Sequence, residues 1–105
     1  MDISEFRIKK ELVGDRTKIF LSGEIDIYTC QTFKNELNEV VNSYKGDLYI
    51  DCTELSYIDS TGLGILVGAL KEIRKENNNI YICNLKDNIK KLFIITGLDK
   101  LFIID

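Results

Sequence analysis

Residues 57–64, Tyr-Ile-Asp-Ser-Thr-Gly-Leu-Gly, contain the side chains of this sequence that are best suited to chemistry. Ser60 and Thr61 follow an apolar run and a short polar linker, and they precede an amphipathic run, so both hydroxyls are predicted at the entrance of a helix. A helix N-terminus presents free N–H groups and the positive end of the helix dipole, and it therefore accommodates an anion. Ser60 is thus either the N-cap of this helix or a serine on which a phosphate can be placed and removed.

The sequence lacks the motifs that would make this segment catalytic. It contains no histidine, which excludes Ser-His-Asp and Cys-His catalysis and any metal site with histidine ligands. A Gly-x-Ser-x-Gly nucleophile elbow would need glycine where Ile58 stands, and a phosphate-binding P-loop is missing. Gly62 and Gly64 begin a dinucleotide-binding pattern that fails at Val67. We therefore expect no enzymatic activity, no metal and no cofactor.

Composition predicts one soluble domain over residues 1–105. The chain has 45% apolar and 30% charged residues and a net charge of −3. No basic cluster stands out in the sequence, which argues against a nucleic acid or an anionic membrane as a partner. No apolar run approaches the roughly 18 residues of a membrane span, and no secretion signal is present at the N-terminus. The expected location is the cytoplasm.

Three cysteines, Cys30, Cys52 and Cys83, lie far apart and form no Cys-x-x-Cys pair. An odd number at wide spacing fits free thiols that are buried as small apolar side chains in a reducing compartment. We predict that they form no disulfide.

Hydrophobic periodicity and turn residues predict the elements that position the hydroxyl pair. The first part of the chain is predicted as a β-hairpin over residues 5–22 with its turn at Gly14-Asp15, a helix over 30–44 with Thr29 as its N-cap, and a strand over 47–52. The second part is predicted as a helix over 63–73, a strand over 80–83, a helix that Asp87 caps and that ends before Gly97, and a strand over 101–104.

This order predicts an α/β fold in which an N-terminal β-hairpin is followed by β-α units. Strands that are separated by helices pair in parallel through right-handed crossovers, so the sheet should be five-stranded and mostly parallel, with flanking helices. The short apolar runs are typical of strands covered by helices.

Ligands and partners of an open parallel sheet meet the loops beyond the carboxyl ends of its strands. Three such loops are predicted, at residues 23–26, 56–64 and 84–87. Five polar side chains should therefore share one edge of the sheet: Glu24, Asp26, Asp59, Ser60 and Thr61. Asp26 and Asp59 are either turn formers or helix caps, or charges that would amplify a negative charge added beside them.

Three segments of the chain resemble a known family. They are Gly23-Glu24-Ile25-Asp26 with Tyr28-Thr29, Leu55-Ser56-Tyr57-Ile58-Asp59-Ser60-Thr61-Gly62-Leu63-Gly64, and Leu92-Phe93 with Thr96-Gly97-Leu98. In this order they resemble the STAS-domain anti-sigma factor antagonists, also called anti-anti-sigma factors, of bacterial stress and sporulation partner-switching systems. The chain departs from the family at Ile94-Ile95, where relatives often carry an acidic residue, and it stops directly after the predicted fifth strand.

The resemblance implies a phosphorylation switch. Ser60 would be phosphorylated by the partner, an anti-sigma factor that is also an ATP-dependent serine kinase. The unphosphorylated chain would bind that kinase and free the sigma factor, and a PP2C-type phosphatase would reset the phosphorylated chain. The predicted partner-binding residues are Glu24, Asp26, Tyr28, Asp59, Thr61, Gly62, Leu63 and Gly64.

Two other functions remain open from the sequence. The chain could be a STAS interaction module of another assembly, such as a transporter accessory subunit or a stress-sensing complex. It could also be a small nucleotide-binding protein that uses the glycine-bearing helix entrance, although the P-loop lysine is missing.

Overall fold

A computed structural model describes residues 5–14 and 16–105 of the chain. The strands are β1 (Phe6–Val13), β2 (Arg16–Ile25), β3 (Leu48–Ile58), β4 (Ile80–Cys83) and β5 (Ile103–Ile104). The helices are α1 (Cys30–Ser43), α2 (Ser60–Arg74) and α3 (Asp87–Ile95), and a 3₁₀ turn covers Leu98–Lys100. None of the helices in these ranges is both long and apolar enough to cross a membrane.

The five strands form one sheet in the order β1-β2-β3-β4-β5. β1 pairs antiparallel with β2, and the remaining neighbours pair in parallel. The predicted fold, a hairpin followed by β-α units in a mostly parallel sheet, is confirmed. Gly14 has the positive φ of 65° that the predicted hairpin turn requires, and Asp15 lies outside the described residues.

The helices cover only one face of the sheet. When parallel strands follow one another in sequential order, right-handed crossovers place every connecting helix on the same side. One core accordingly contains inward-facing strand residues such as Ile19, Ile50 and Ile82 together with Phe33 of α1 and Phe93 of α3.

The other face carries the intervening strand residues, and it has no helix over it in the described part of the chain. Lys18, Tyr49 and Tyr81 occupy this face, because they alternate with the core residues along β2, β3 and β4. The expectation that helices cover these strands therefore holds for one face only. The runs at 47–52 and 80–83 look continuously apolar because they include Tyr49 and Tyr81, whose amphipathic side chains also suit the outward positions of an alternating strand.

β2 and β3 are longer than the sequence indicated. β3 was expected to end at Cys52 and instead continues to Ile58, and β2 continues through Gly23 and Glu24 to Ile25. Two register shifts in the β2–β3 pairing, one at Phe20/Ser22 and one at Gly23/Glu24, disturb the period-two pattern over this extension. The sequence pattern of this extension is therefore that of a polar linker, although the segment forms a strand.

The end of the chain also differs from the prediction. Leu101 was expected to open the last strand, but it follows the 3₁₀ turn, and only Ile103–Ile104 pair with β4. Phe102 instead turns into the core, where its ring lies edge-to-face with Phe93 at 5.8 Å between centroids. The prediction that Asp87 caps α3 is wrong by one residue, since Lys86 occupies the N-cap and Asp87 is the first helical residue.

The three cysteines are free in the structure. Cys52 is buried, whereas Cys30 and Cys83 are half-buried, so the expectation of burial holds fully only for Cys52. Burial raises the pKa of the Cys52 thiol to about 12, with a smaller contribution from the negative charge of Asp51.

We predict that Cys52 resists alkylation in the folded protein. At about pH 8 a thiol with this raised pKa is almost entirely protonated, so iodoacetamide should label Cys52 at least about a hundredfold more slowly than the same cysteine in urea. Peptide mass spectrometry measures the labelling of each cysteine, and the half-exposed Cys30 is the internal control. Labelling of Cys52 as rapid as that of Cys30, or a disulfide in the native protein, would contradict this prediction.

Candidate functional site

The ends of β2 and β3 lie side by side and position the predicted site. Glu24 pairs with Tyr57 and Ile25 with Ile58 in the parallel register. The Asp59 N–H donates to the Ile25 carbonyl at 3.2 Å, and the Ser56 hydroxyl donates to the Gly23 carbonyl at 3.0 Å. The prediction that residues 23–26 and 56–64 lie side by side at one edge of the sheet is thus confirmed.

Asp59, and not Ser60, is the N-cap of α2. Its backbone is extended, and its Oδ1 accepts a hydrogen bond from the Gly62 N–H at 3.1 Å. Ser60 is the first helical residue; its side chain is exposed, and it forms no hydrogen bond with any described residue. The capping alternative for Ser60 is therefore excluded, and its hydroxyl supports no neighbouring group among the residues that the structure describes.

Asp26 organises the entrance of α1 in a similar way. Its Oδ1 accepts from the N–H groups of Tyr28, at 2.8 Å, and Thr29, at 3.1 Å. Thr29 stands at the predicted N-cap position, but its hydroxyl forms no capping bond to α1; it donates instead to the Glu24 carbonyl at 2.7 Å. Both aspartates therefore have structural uses, and each also places a carboxylate on the edge that bears Ser60.

The negative charge at this edge is not fully neutralised. Among the described residues, neither Glu24 nor Asp59 forms an ion pair. The edge thus combines a helix N-terminus, which accommodates an anion, with carboxylates that repel one.

The predicted partner-binding residues divide into exposed and buried groups. Glu24, Tyr28, Thr61 and Gly64 are exposed, and Asp26 and Asp59 are half-buried. Gly62 and Leu63 are buried, and Leu63 is only 5% exposed, so in this structure they offer no surface to a partner and instead support the first turn of α2.

Two apolar side chains at the same edge were missed by the sequence analysis. Ile27 is 69% exposed and Tyr57 is 47% exposed, next to Tyr28 at 80%. Ile27 lies just after a predicted loop, where a large apolar side chain has no core to enter. This position is the feature of the sequence that points to Ile27 as an exposed contact residue.

The third predicted loop does not belong to the site. Cys83, the last residue of β4, pairs with Asp51, and Ile58 lies about 23 Å further along β3. The Lys86 ammonium donates to the Thr53 carbonyl and the Asn84 amide to Asp51, which keeps residues 84–87 level with the middle of β3. The sequential strand order also contains no reversal of the kind that opens a ligand crevice in doubly wound sheets.

The surface beside Thr61 is a groove rather than a deep cleft. It lies between α1 and α2, has a volume of about 340 Å³, and is lined by Lys34, Asn38, Thr61, Gly64 and Gly68, among others. Such a surface suits contact with another protein better than enclosure of a small substrate.

The profile of the STAS domain family matches residues 7–105, so the chain belongs to the STAS domain family. It is 47% identical to the anti-sigma-B factor antagonist of Listeria monocytogenes over 90 residues, which are 85% of this chain and 78% of that protein. It is 37% identical to the anti-sigma-B factor antagonist of Staphylococcus aureus over 80% of this chain and 78% of that one. The resemblance predicted from the three sequence segments is confirmed.

Comparison of the fold with solved structures also finds an anti-sigma factor antagonist. The crystal structure of an anti-sigma factor antagonist from Mycobacterium paratuberculosis superposes with a TM-score of 0.87 at 25% identity, covering 95% of this chain and 85% of that one. The five-stranded sheet with its helices is therefore the architecture of this family.

We predict opposite effects for alanine at the two glycines of the site. A Cβ on Gly62 would lie 2.7 Å from side-chain carbons of both Ile25 and Ile58, so Gly62→Ala should destabilise the fold by about 1 to 3 kcal/mol through overpacking. A Cβ on Gly64 meets nothing within 4 Å, so Gly64→Ala should be neutral or stabilise the fold by up to about 1 kcal/mol through helix propensity. Urea unfolding of both variants measures the difference, and equal midpoints would show that α2 does not pack on the strands in this way.

Proposed function

We propose that this chain is an anti-sigma factor antagonist whose binding to an anti-sigma factor is switched off by phosphorylation of Ser60. The observation that carries the proposal is the state of the Ser60 side chain: it is exposed at the first position of α2 and free of internal hydrogen bonds, while Asp59 performs the capping. A serine in this position can be modified without unfolding the helix that bears it. The similarity of the chain to anti-sigma-B factor antagonists supports an anti-sigma factor as the class of partner.

The unphosphorylated chain binds its partner through the exposed edge around α2. Ile27, Tyr28 and Tyr57 supply apolar and aromatic contact area of the kind that dominates protein interfaces. Thr61 and Gly64 extend this surface into the groove beside α1. The partner is an anti-sigma factor that is also an ATP-dependent serine kinase, and its capture by this chain releases the sigma factor.

Phosphorylation changes the electrostatics of that edge. A phosphate carries nearly two negative charges at neutral pH, and in the free chain water and the N-terminus of α2 accommodate it. In the complex the same charges lose water beside Asp59 and Glu24, neither of which is paired with a cation among the described residues. A penalty of about 2.7 kcal/mol is enough for a hundredfold loss of affinity.

A PP2C-type phosphatase completes the cycle by removing the phosphate from Ser60. The exposure of Ser60 supports this step, because the phosphate on an exposed first-turn residue stays within reach of a second enzyme. The chain is in this scheme the substrate of two enzymes and catalyses nothing itself.

We predict that phosphorylation of Ser60, and not of a neighbouring hydroxyl, switches partner binding off. Ser60→Ala should hold the partner persistently, because the contact surface remains and the charge can never be added. Ser60→Asp should bind at least about tenfold more weakly, since a carboxylate has roughly half the charge of a phosphate and mimics it incompletely. Thr61→Ala should still be phosphorylated on Ser60.

The test begins with capture of the partner from native cells on immobilised Ser60→Ala and its identification by mass spectrometry. Calorimetry with ADP then measures the affinity of each variant for the purified partner, and phosphate mapping follows incubation with ATP. Ser56→Ala is the matched control, because Ser56 is an exposed serine of the same segment whose hydroxyl is occupied by the Gly23 carbonyl. Tight binding by Ser60→Asp, together with phosphate on Thr61, would refute the assignment.

A further inference from the structure

The face of the sheet opposite the helices is the largest feature that the proposed function leaves unused. We call it the open face: it consists of the outward-facing strand residues, from Arg7 and Lys9 on β1, through Phe20, Tyr49 and Tyr81, to Asp105 beside β5. Two shallow cavities of about 500 and 360 Å³ lie on it, one on each side of β3. Neither cavity is lined by Ser60 or by the loops that surround it.

Aromatic and aliphatic side chains run across the centre of the open face. The rings of Tyr49 and Tyr81 stack at 4.7 Å between centroids with 10° between their planes. Phe20 lies beside them on β2, and Ile103 is exposed on β5. The three aromatic side chains are half-buried, and aromatic residues are enriched at protein interfaces.

Charge is distributed unevenly over the open face. Arg7, Lys9, Arg16 and Lys18 lie towards β1 and β2. Two acidic residues share this part of the face, Glu11 opposite Lys18 and Glu54 opposite Ser22, so cations outnumber carboxylates there. Asp105 lies at the other end, in the cavity beside β5. The carboxylate of Asp51, near the centre, is already engaged by Thr53, Asn84 and Lys18 within its own chain. The face is therefore positive at one end and negative at the other.

We propose that the open faces of two copies of this chain pack against each other in a two-fold symmetric dimer. An interface of this kind must be self-complementary, because the same patch meets itself through the two-fold axis. If the strands of the two packed sheets are aligned, an axis in the plane of the sheets has two possible directions, along the strands or across them.

Charge selects between the two directions. An axis across the strands places β1 over β1 of the second copy, running in the opposite direction, so the basic end of the face lies over its own copy and Asp105 over the other acidic end, which leaves both without a partner of opposite charge. An axis along the strands places β1 over β5 of the second copy, so that Arg7 and Lys9 meet Asp105 at both ends of the interface. The strands of the two sheets then run in the same direction, which is the aligned mode of sheet packing.

The size of the face predicts a weak dimer. Five strands spaced about 4.8 Å apart give a face roughly 20 Å wide. Its burial in both copies would remove on the order of 1,000 Å² from water, the lower limit for a specific interface. The association should accordingly depend on protein concentration and weaken with salt.

This arrangement leaves the proposed switch accessible. The open face lies opposite the helices, whereas Ser60 begins α2 at the carboxyl end of β3. With the axis along the strands, both Ser60 residues lie at the same end of the dimer. The net charge of −3 and the acidic end of the face disfavour a polyanion such as single-stranded nucleic acid as the occupant.

Sedimentation equilibrium between about 10 µM and 1 mM, the range in which weak complexes dissociate, measures the association directly. We expect the wild type to shift from monomer to dimer over this range. Arg7→Glu/Lys9→Glu and Asp105→Lys should each dimerise at least about tenfold more weakly, because each removes the attraction between the two ends. An equimolar mixture of these two variants should recover dimers as mixed pairs, because opposite charges then meet at both ends of the interface.

Lys34→Glu/Lys71→Glu is the matched control, because it changes the net charge by the same amount on α1 and α2 and should dimerise as the wild type does. Circular dichroism establishes that every variant is folded. The proposal is overturned if the wild type stays monomeric throughout, if it binds a single-stranded oligonucleotide through this face, or if the control weakens the dimer as much as Arg7→Glu/Lys9→Glu. These outcomes are independent of whether Ser60 is phosphorylated, so either proposal can fail alone.

Discussion

The first turn of α2 lies directly on the ends of β2 and β3, where Gly62 faces Ile25 and Ile58 with no room for a Cβ atom between them. This contact sets the depth and direction at which the helix leaves the sheet. With the helix held there, the Asp59 N–H reaches the Ile25 carbonyl, and the Asp59 carboxylate returns to the Gly62 N–H. Leu63 then points into the core.

The same contact explains why the hydroxyl of Ser60 is available. In an amphipathic helix the residues before a buried glycine and leucine lie on the outer side of the first turn. Since the Asp59 carboxylate accepts the Gly62 N–H, Asp59 and not Ser60 acts as the N-cap of that turn. Helix capping and phosphate acceptance therefore fall to two different residues: Asp59 caps α2, and the Ser60 side chain stays free for modification.

Strand order decides where the surfaces of the molecule lie. Because the order is sequential, right-handed crossovers put α1, α2 and α3 on one face and leave the other to polar and aromatic strand residues. The edge with Ser60 and the open face are therefore different surfaces, and a partner can occupy one without covering the other. The sequential strand order also opens no ligand crevice at this edge, and the groove beside Thr61 fits a protein partner better than a small ligand.

The local sequence pattern was sufficient to predict the order of helices and strands and the edge of the sheet at which the site lies. Helical periodicity of the apolar residues predicts α1 and α2. The shared edge of Asp26 and Ser60 came from the β-α order, because crossover handedness is nearly invariant. These features depend on the neighbours of each residue along the chain, and they are readable from the sequence for that reason.

Tertiary contacts decided what each residue at the site does. The extension of β3 to Ile58 exists because β2 pairs with it through two register shifts, and no local pattern records a pairing partner. Asp59 rather than Ser60 became the cap, and Gly62 and Leu63 became buried support rather than surface, because α2 docks against Ile25 and Ile58. The sequence by itself determined which elements form and at which edge the hydroxyls lie. Packing between elements distant along the chain determined which hydroxyl is free, because burial and hydrogen bonding depend on neighbours in space.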